Sequence, residues 1–305
     1  MELTPQQKEA IEHEDGGLQL IACAGAGKTG VISQRIARLI KKGVEPKNIV
    51  AFTFTDKAAE EMKARIRLFL EKECPEKTDF GDMYIGTIHS FCLSILKELE
   101  PKYKSYEALT EAQRIAFVSK PMTYYSELGL VKLEARDHIK KYSVINKFLE
   151  SADIMRDENI NPDKLTDKDF GSIFKRYINL LDKNQYLDFG EMIFRLVKIL
   201  ETDKEVLKQL HEKVKHLVVD EYQDVNKIQE KLIEFISEGC KSVCIVGDDD
   251  QCVFQWRGSD PSYILNFEKN YSKYFKIRRI SLETNFRSTE GIVNLSKEFI
   301  KKNKI

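Results

Sequence analysis

The chain has 305 residues, with 49 lysines and arginines against 49 aspartates and glutamates; this admits one large domain or two, and only local patches, not net charge, can argue for a nucleic-acid partner. Its six cysteines show no metal-type spacing and fit reduced thiols in a reducing compartment. Met1 to Gln7 has no signal-peptide profile and no apolar run approaches a membrane span, so a soluble cytoplasmic protein without a membrane partner is expected.

Thr4 before Pro5 has the form of an N-cap followed by proline at the first helical position. Gln7 is expected to face outward from this short helix. The apolar run Leu18 to Ala22 predicts a buried strand. It runs into Ala24-Gly25-Ala26-Gly27-Lys28-Thr29, and helical periodicity begins at once with Val31, Ile32, Ile36, Leu39 and Ile40. Strand, glycine turn and helix form the context of a phosphate-binding loop. Small residues let backbone N–H groups approach phosphate oxygens, and the new helix points its dipole at the anion. Lys28 can reach the β- and γ-phosphates and Thr29 can ligate Mg²⁺. The strict pattern G-x-x-x-x-G-K-[ST] is missed at one place, where Ala22 holds the first glycine position. The bland alternative is an ordinary glycine-rich turn.

Ile49 to Phe54 is the next predicted strand, and Thr55-Asp56 opens a helix with Met62, Ile66 and Phe69 inside. Met83 to Thr87 predicts a third strand and Ile88-His89 a third helix that ends near Pro101. This alternation marks a parallel α/β sheet, whose ligands sit at the carboxyl ends of strands; Thr29, Thr53, Thr55, Thr87 and His89 fall at such ends. From 102 to 213 the alternation stops, and the charged, helix-rich stretch predicts an all-helical insertion. In it, Lys132, Arg136, Lys140 and Lys141 form either a solvated face or a DNA-facing stripe. Asp188 is placed to cap a helix.

The alternation then returns. His216 to Val219 is an apolar strand ending in Asp220 and Glu221, acids that are costly at a buried strand end unless employed. In a P-loop protein Asp220 can hold the Mg²⁺ shell and Glu221 can take a proton from the attacking water; the alternative is a helix cap by Asp220. Ser242 to Gly247 predicts another strand, followed by Asp248-Asp249-Asp250-Gln251 and Phe254-Gln255-Trp256-Arg257-Gly258. A lone tryptophan beside an arginine, outside any apolar run, suits stacking on single-stranded bases; the alternative is a half-buried loop anchor. Arg279 to Leu282 predicts a strand opening another unit, and Asn285-Phe286-Arg287-Ser288 precedes a helix near Thr289.

Together these stretches resemble the amino-terminal part of superfamily 1 DNA helicases of the UvrD/Rep/PcrA type. LTPQQKEA resembles the Q motif, ACAGAGKT motif I, AFTFTDKAAEEMKARI motif Ia, IGTIHSF the motif Ib region, VVDEYQD motif II, VGDDDQCVFQWRG motif III and LETNFRS motif IV. The resemblance implies that Gln7 reads adenine, with Phe286 standing where the family stacks a tyrosine. It implies phosphate contacts from Ala24, Gly25, Ala26, Gly27 and Lys28, and Mg²⁺ on Thr29 and Asp220. Glu221 becomes the base, Gln251 the γ-phosphate contact and Arg287 the arginine finger. Phe54, Thr87, His89, Phe254, Trp256 and Arg257 become DNA contacts. The chain departs from the pattern at Cys23 and Gly30, where glycine and arginine are common, and at Asp56, where asparagine is usual.

The expected fold is therefore α/β, a P-loop NTPase (RecA-like) parallel sheet flanked by helices with an inserted all-helical subdomain. The expected divisions are 1–101 and 214–280 for the ATPase domain, 102–213 for the insertion, and 281–305 for the start of a truncated second RecA-like domain. The resemblance implies an ATP- and Mg²⁺-dependent motor acting 3′ to 5′ on single-stranded DNA and single-strand/duplex junctions. A fragment that binds nucleotide, hydrolyses it poorly and does not unwind duplex alone is expected. The motor half of a helicase–nuclease and a nucleotide-gated DNA-binding module are the alternatives; a small-molecule P-loop kinase would not need Trp256-Arg257 or Gln251.

Overall fold

The computed structural model describes residues 2–137, 140–255 and 258–301, the side chains of 136 and 137 excepted. Its strands are β1 (Gly16–Ala22), β2 (Ile49–Phe52), β3 (Tyr84–Gly86), β4 (Glu107–Ala108), β5 (Tyr186–Leu187), β6 (His216–Val219), β7 (Ser242–Gly247) and β8 (Ile277–Leu282). Six of them form one sheet in the order β3-β2-β6-β7-β1-β8, with every pairing parallel. Parallel strands covered on both faces must be apolar throughout; accordingly β2, β6 and β7 are buried at every position. The fold is thus the α/β architecture expected from the alternating pattern.

Three helices are introduced by the first half of the sheet: α1 (Pro5–Glu12), α2 (Lys28–Lys41) and α3 (Asp56–Glu73). Thr4 caps α1 as expected, in a reciprocal capping box with Gln7. Gln7 itself does not face outward: it is 6% exposed, because its amide is consumed by the cap and by the glycine loop described below. Leu18, Leu20, Val31, Ile32, Ile36, Met62 and Ile66 share one core with β1, α2 and α3. Thr55 caps α3, accepting from Ala58 N at 3.1 Å.

The strand near 279–282 does not open another unit. It is β8, paired with β1 over six positions from Gly17↔Ile277 to Ala22↔Leu282. Ile280 and Leu282 are buried in the core that contains Leu18 and Leu20. A run alternating Arg279, Ile280, Ser281 and Leu282 is what an edge strand with one covered face needs, so the pattern marked a strand without saying which sheet it joins.

The chain divides into two compact units, one of residues 1–88, 204–225 and 233–305, the other of residues 89–203 and 226–232. The second is helical apart from the short β4–β5 pair; its edges fall at 89 and 203, where the sequence pattern suggested 102 and 213. Its core is built on Tyr124, Leu128, Ile145, Phe148, Ile173, Tyr177 and Leu181. Asp188 caps the helix Phe189–Thr202, accepting from Glu191 N at 3.0 Å. The same fully buried carboxylate accepts from Arg156 Nη1 at 2.7 Å and Tyr177 Oη at 2.6 Å, and Arg114 Nε lies 3.2 Å away. The basic stripe of the insertion does not form on one helix. The helix Val131–Asp137 ends before Lys140, which begins the next, Lys141–Asp157. Lys141 turns inward, donating to Ser119 O at 2.9 Å and lying 4.7 Å from the centre of the Tyr124 ring; the Arg136 side chain is outside the described residues. Among the described residues no helix is long and apolar enough to cross a membrane.

The buried histidine of β6 makes stability depend on pH. His216 Nδ1 lies 2.8 Å from Ser242 Oγ on β7, and burial, aided by nearby Arg35, lowers its pKa from 6.5 to about 4. The folded state therefore holds the neutral ring, and its contribution is complete above pH 6.5 and lost as pH falls toward 4. In denaturant melts at stepped pH, His216→Gln is expected to show a shallower loss of stability across that window than the parent; equal slopes would contradict this origin.

Candidate functional site

β1 ends between β7 and β8, and the backbone after it turns on two glycines with positive φ, Gly25 at 78° and Gly27 at 81°. L-residues are strained there. At Gly25 space forbids a side chain as well, since a Cβ would lie 2.7 Å from Asn285 Oδ1 and 2.8 Å from Arg287 Cβ. Gly27 is the N-cap of α2 and offers no side chain to its first N–H groups, which therefore remain available to an anion.

The segment after β8 buttresses this loop. Asn285 Nδ2 donates to Ala24 O at 2.8 Å and Phe286 N to Gly25 O at 3.0 Å. Asn285 Oδ1 accepts from the amides of Arg287 and Ser288, both at 2.8 Å. From the other side Gln7 Nε2 donates to Ala26 O at 3.1 Å while its Oε1 accepts from Thr4 N at 2.9 Å. Between them lies a cleft of about 90 Å³ lined by Thr4, Gln6, Gln7, Ala26, Leu282 and Phe286, among others. The structure thus brings Gln7, the glycine loop and Phe286 to one place, with Arg287 exposed beside Gly25. Asn285 escaped the sequence reading; its signal was an asparagine at the head of a turn, where its side chain bonds the backbone two and three residues on. A Cβ on Gly30 would be in ordinary van der Waals contact with Arg65 Nη1 of α3, at 3.7 Å.

The acidic side of the site comes from the turn after β6. Lys28 Nζ donates to Glu221 Oε2 at 2.8 Å. Glu221 is held in the left-handed region at φ 52°, a strain of about 1–2 kcal/mol for a residue with a side chain. Asp220 N continues the ladder to Phe52 O at 3.0 Å, so its carboxyl group is buried at the strand end. Burial, then the Glu221 charge, pushes the Asp220 carboxyl up to about 6; the same causes push Asp224 up to about 6. Asp224 Oδ1 is buried with no hydrogen-bond partner. Buried carboxylates left this way favour a cation. Among the described residues no group of three His, Cys, Asp or Glu side chains is spaced to hold a metal, so a divalent ion here would also need the Thr29 hydroxyl at the start of α2, phosphate oxygens and water. Gln251 Nε2 donates to Asp248 Oδ2.

Two of the exposed aromatics, Phe54 and Phe189, each meet a second ring. Phe54, just past β2 and 45% exposed, stacks on Phe254 with ring centres 5.0 Å apart and planes at 26°. The loop carbonyl of Thr87 accepts from Tyr84 Oη at 2.7 Å. His89, on the helix Ile88–Leu99, packs edge-on against Phe189 at 5.5 Å, and burial lowers its pKa to about 4. Phe189, the first residue of the helix Phe189–Thr202, is 46% exposed and was given no role by its place in the sequence. Trp256 and Arg257 lie outside the described residues.

With this geometry in hand, comparison with known proteins is decisive about family. Residues 3–272 match the UvrD/REP helicase N-terminal domain, so the chain belongs to the UvrD/REP helicase family and its sheet is that of a RecA-like motor domain. It is 35% identical over 312 residues to the ATP-dependent DNA helicase PcrA of Bacillus subtilis (strain 168). It is 33% identical over 309 residues to proteins of the same name from Staphylococcus epidermidis (strain ATCC 35984 / DSM 28319 / BCRC 17069 / CCUG 31568 / BM 3577 / RP62A) and Staphylococcus aureus (strain NCTC 8325 / PS 47). Each alignment covers 99% of this chain and 40% of the relative, so the chain spans about two fifths of the length of the curated relatives it matches.

The contact at Gly25 yields a direct test. Gly25→Ala is expected to lower the free energy of unfolding by at least about 1 kcal/mol from the backbone alone, because Asn285 and Arg287 must also move. Gly291→Ala, in a helix where a Cβ meets nothing within 4 Å, is expected to be neutral or stabilising by up to about 1 kcal/mol. Equal effects of the two substitutions in denaturant melts would contradict the packing described.

Proposed function

We propose that the chain is the ATP-binding and ATP-hydrolysing motor portion of a DNA helicase that grips single-stranded DNA. The observation that carries the reading is the Lys28–Glu221 pair at the carboxyl edge of the sheet, beside a buried Asp220. A lysine from the glycine loop and a carboxylate from the acidic turn after β6 meet where a triphosphate would lie.

In this reading the amides of Ala24 to Gly27 and the Lys28 ammonium hold the β- and γ-phosphates, so Lys28 leaves Glu221 as nucleotide enters. Thr29 and Asp220 would hold Mg²⁺, which neutralises charge on those phosphates when bound. The unmatched Asp224 Oδ1 and the burial of Asp220 fit such an ion. Glu221, released from Lys28, accepts the proton of the attacking water. Gln251 and Arg287 contact the γ-phosphate, and Gln7 with Phe286 flank the adenine in the cleft. Phe54 and Phe254 stack on bases, with Trp256 and Arg257 in the same role. Thr87 and His89 meet the DNA backbone. The free cysteines suit a reducing, cytoplasmic setting. Movement 3′ to 5′ and action at single-strand/duplex junctions rest on the family resemblance, and duplex unwinding is assigned to the longer relatives' form rather than to this chain alone.

The test is Mg²⁺-ATP binding and turnover with and without oligo-dT. Lys28→Ala is expected to abolish nucleotide binding. Glu221→Gln should bind ATP within a few-fold of the parent yet turn it over at least about 10²-fold more slowly, within the usual range for general-base loss. Wild-type turnover by Glu221→Gln would sink the assignment. Phe54→Ala should weaken oligo-dT binding by about 1–3 kcal/mol while leaving ATP affinity unchanged; unchanged DNA affinity would remove Phe54 from the interface.

A further inference from the structure

Gln223 lies between the two acidic loops and was given no role by its position in the sequence. It is 2% exposed. Its Oε1 accepts from Asp248 N at 3.0 Å, and its Nε2 donates to Glu221 Oε2 at 2.9 Å. The backbone amide of Asp248 can only donate, so it fixes which end of the Gln223 amide faces it and leaves the NH₂ group for the carboxylate. The backbone carbonyl of Gln223 accepts from Cys252 Sγ at 3.3 Å. The seat is cut to this side chain: a Cβ on Gly247, the last residue of β7, would lie 2.5 Å from Gln223 Oε1.

Two donors therefore share one oxygen of Glu221. Lys28 Nζ and Gln223 Nε2 both reach Oε2. A nucleotide triphosphate competes for Lys28, because its phosphates carry more charge than one carboxylate. It does not compete for Gln223, which is buried behind the acid and tied to Asp248. Asp248 in turn accepts from Gln251 Nε2, so a continuous set of hydrogen bonds runs from Glu221 through Gln223 and Asp248 to Gln251.

We infer that Gln223 is the positioning residue for Glu221, holding Oε2 after Lys28 departs so that Oε1 faces the water, and tying that orientation to the 248–251 segment. The inference rests on the proposed role of Glu221 as base. Without Gln223 a carboxylate on a strained left-handed turn would rotate freely. A misplacement of about 1 Å costs on the order of 10²-fold in rate.

The experiment is single-turnover hydrolysis of radiolabelled Mg²⁺-ATP with the chain in excess, which detects slow chemistry, alongside binding of a fluorescent ATP analogue and a thermal melt. Gln223→Met keeps the volume and removes the hydrogen bonds. It is expected to bind the analogue within twofold of the parent and to hydrolyse about 10²-fold more slowly at saturation. Gly247→Ala, whose Cβ displaces the Gln223 amide and the Ile264 methyl without altering Gln223 itself, is expected to do the same and serves should the Met variant melt early. Glu221→Gln combined with Gln223→Met should be no slower than Glu221→Gln alone, since a residue that acts only through Glu221 has nothing left to position. Parent-like hydrolysis by both Gln223→Met and Gly247→Ala, or additive losses in the double variant, would overturn the inference. A fully active Glu221→Gln would instead remove the reading of Glu221 as base, and the role of Gln223 with it.

Discussion

The Lys28–Glu221 ion pair bridges the carboxyl edge of the sheet, and the arrangement of the site depends on the strand order that makes the bridge possible. β1 and β6 are not neighbours; β7 lies between them. Two strand spacings of about 4.8 Å place their ends roughly 10 Å apart. A lysine on the first turn after β1 and a glutamate on the turn after β6 are long enough to meet across that gap, and shorter side chains are not. The strand in the middle must then end in something that leaves room, and β7 ends in Gly247, whose missing Cβ admits Gln223. Ion pair, glycine and glutamine follow from one topological fact.

The local costs at this edge are concentrated in the same few residues. Glu221 sits in a left-handed conformation, Asp220 is a buried acid whose pKa rises to about 6, and Asp224 keeps a buried oxygen without a partner. None of these helps the fold. Strain and unmatched charge persist where surrounding structure over-determines them, here the continuous ladder from β2 through β6 to Asp220 and the fully buried β7. On the proposed reading the incoming nucleotide and cation relieve the mismatch, which makes ligand binding stabilising by linkage. The helical unit shows the opposite design. There Asp188 is also fully buried, but Arg156, Arg114, Tyr177 and the Glu191 amide leave it well satisfied. Burial alone would raise its pKa, but Arg156 and Arg114 on the same carboxylate outweigh burial and hold it below the usual carboxylate range. That network is structural, and its consequence at the surface is to fix the first turn of a helix whose leading residue is Phe189.

Much of this was legible in the sequence because it rests on short-range rules. The glycine loop, the apolar parallel strands, the Thr4 and Thr55 caps and the acids at the end of β6 are each set by neighbours within a few residues. What escaped depends on partners far along the chain. Gln7 looked like a surface amide because nothing local shows that Ala26 O will come within 3.1 Å. The strand at 277–282 was seen, but its place beside β1 is a long-range pairing. Asn285, Gln223 and Phe189 are ordinary residue types whose importance comes from what lies across the gap. The basic stripe failed for the converse reason: helical spacing was counted through a helix break at Lys140, and Lys141 found partners inside.

The stacked Phe54–Phe254 pair carries the same logic to the surface. Two aromatic rings from loops that follow β2 and β7, 5.0 Å apart and 26° from parallel, shield each other's faces while one of them stays nearly half exposed. Stacking contributes about 0.5–1.5 kcal/mol beyond burial, enough to hold an apolar shelf in water without hiding it. Base stacking is worth about 1–3 kcal/mol, so on the proposed reading a base can extend the shelf or part the rings at modest cost. Phe254 lies two residues after Cys252, which donates to the Gln223 backbone carbonyl, and three after Gln251, which is held by Asp248. Displacement of the 248–251 segment by a γ-phosphate would therefore be felt at the ring within one short loop. On that reading, coupling of nucleotide state to DNA grip would need no long-range pathway, because the two ends of the relay are anchored on the same strand end.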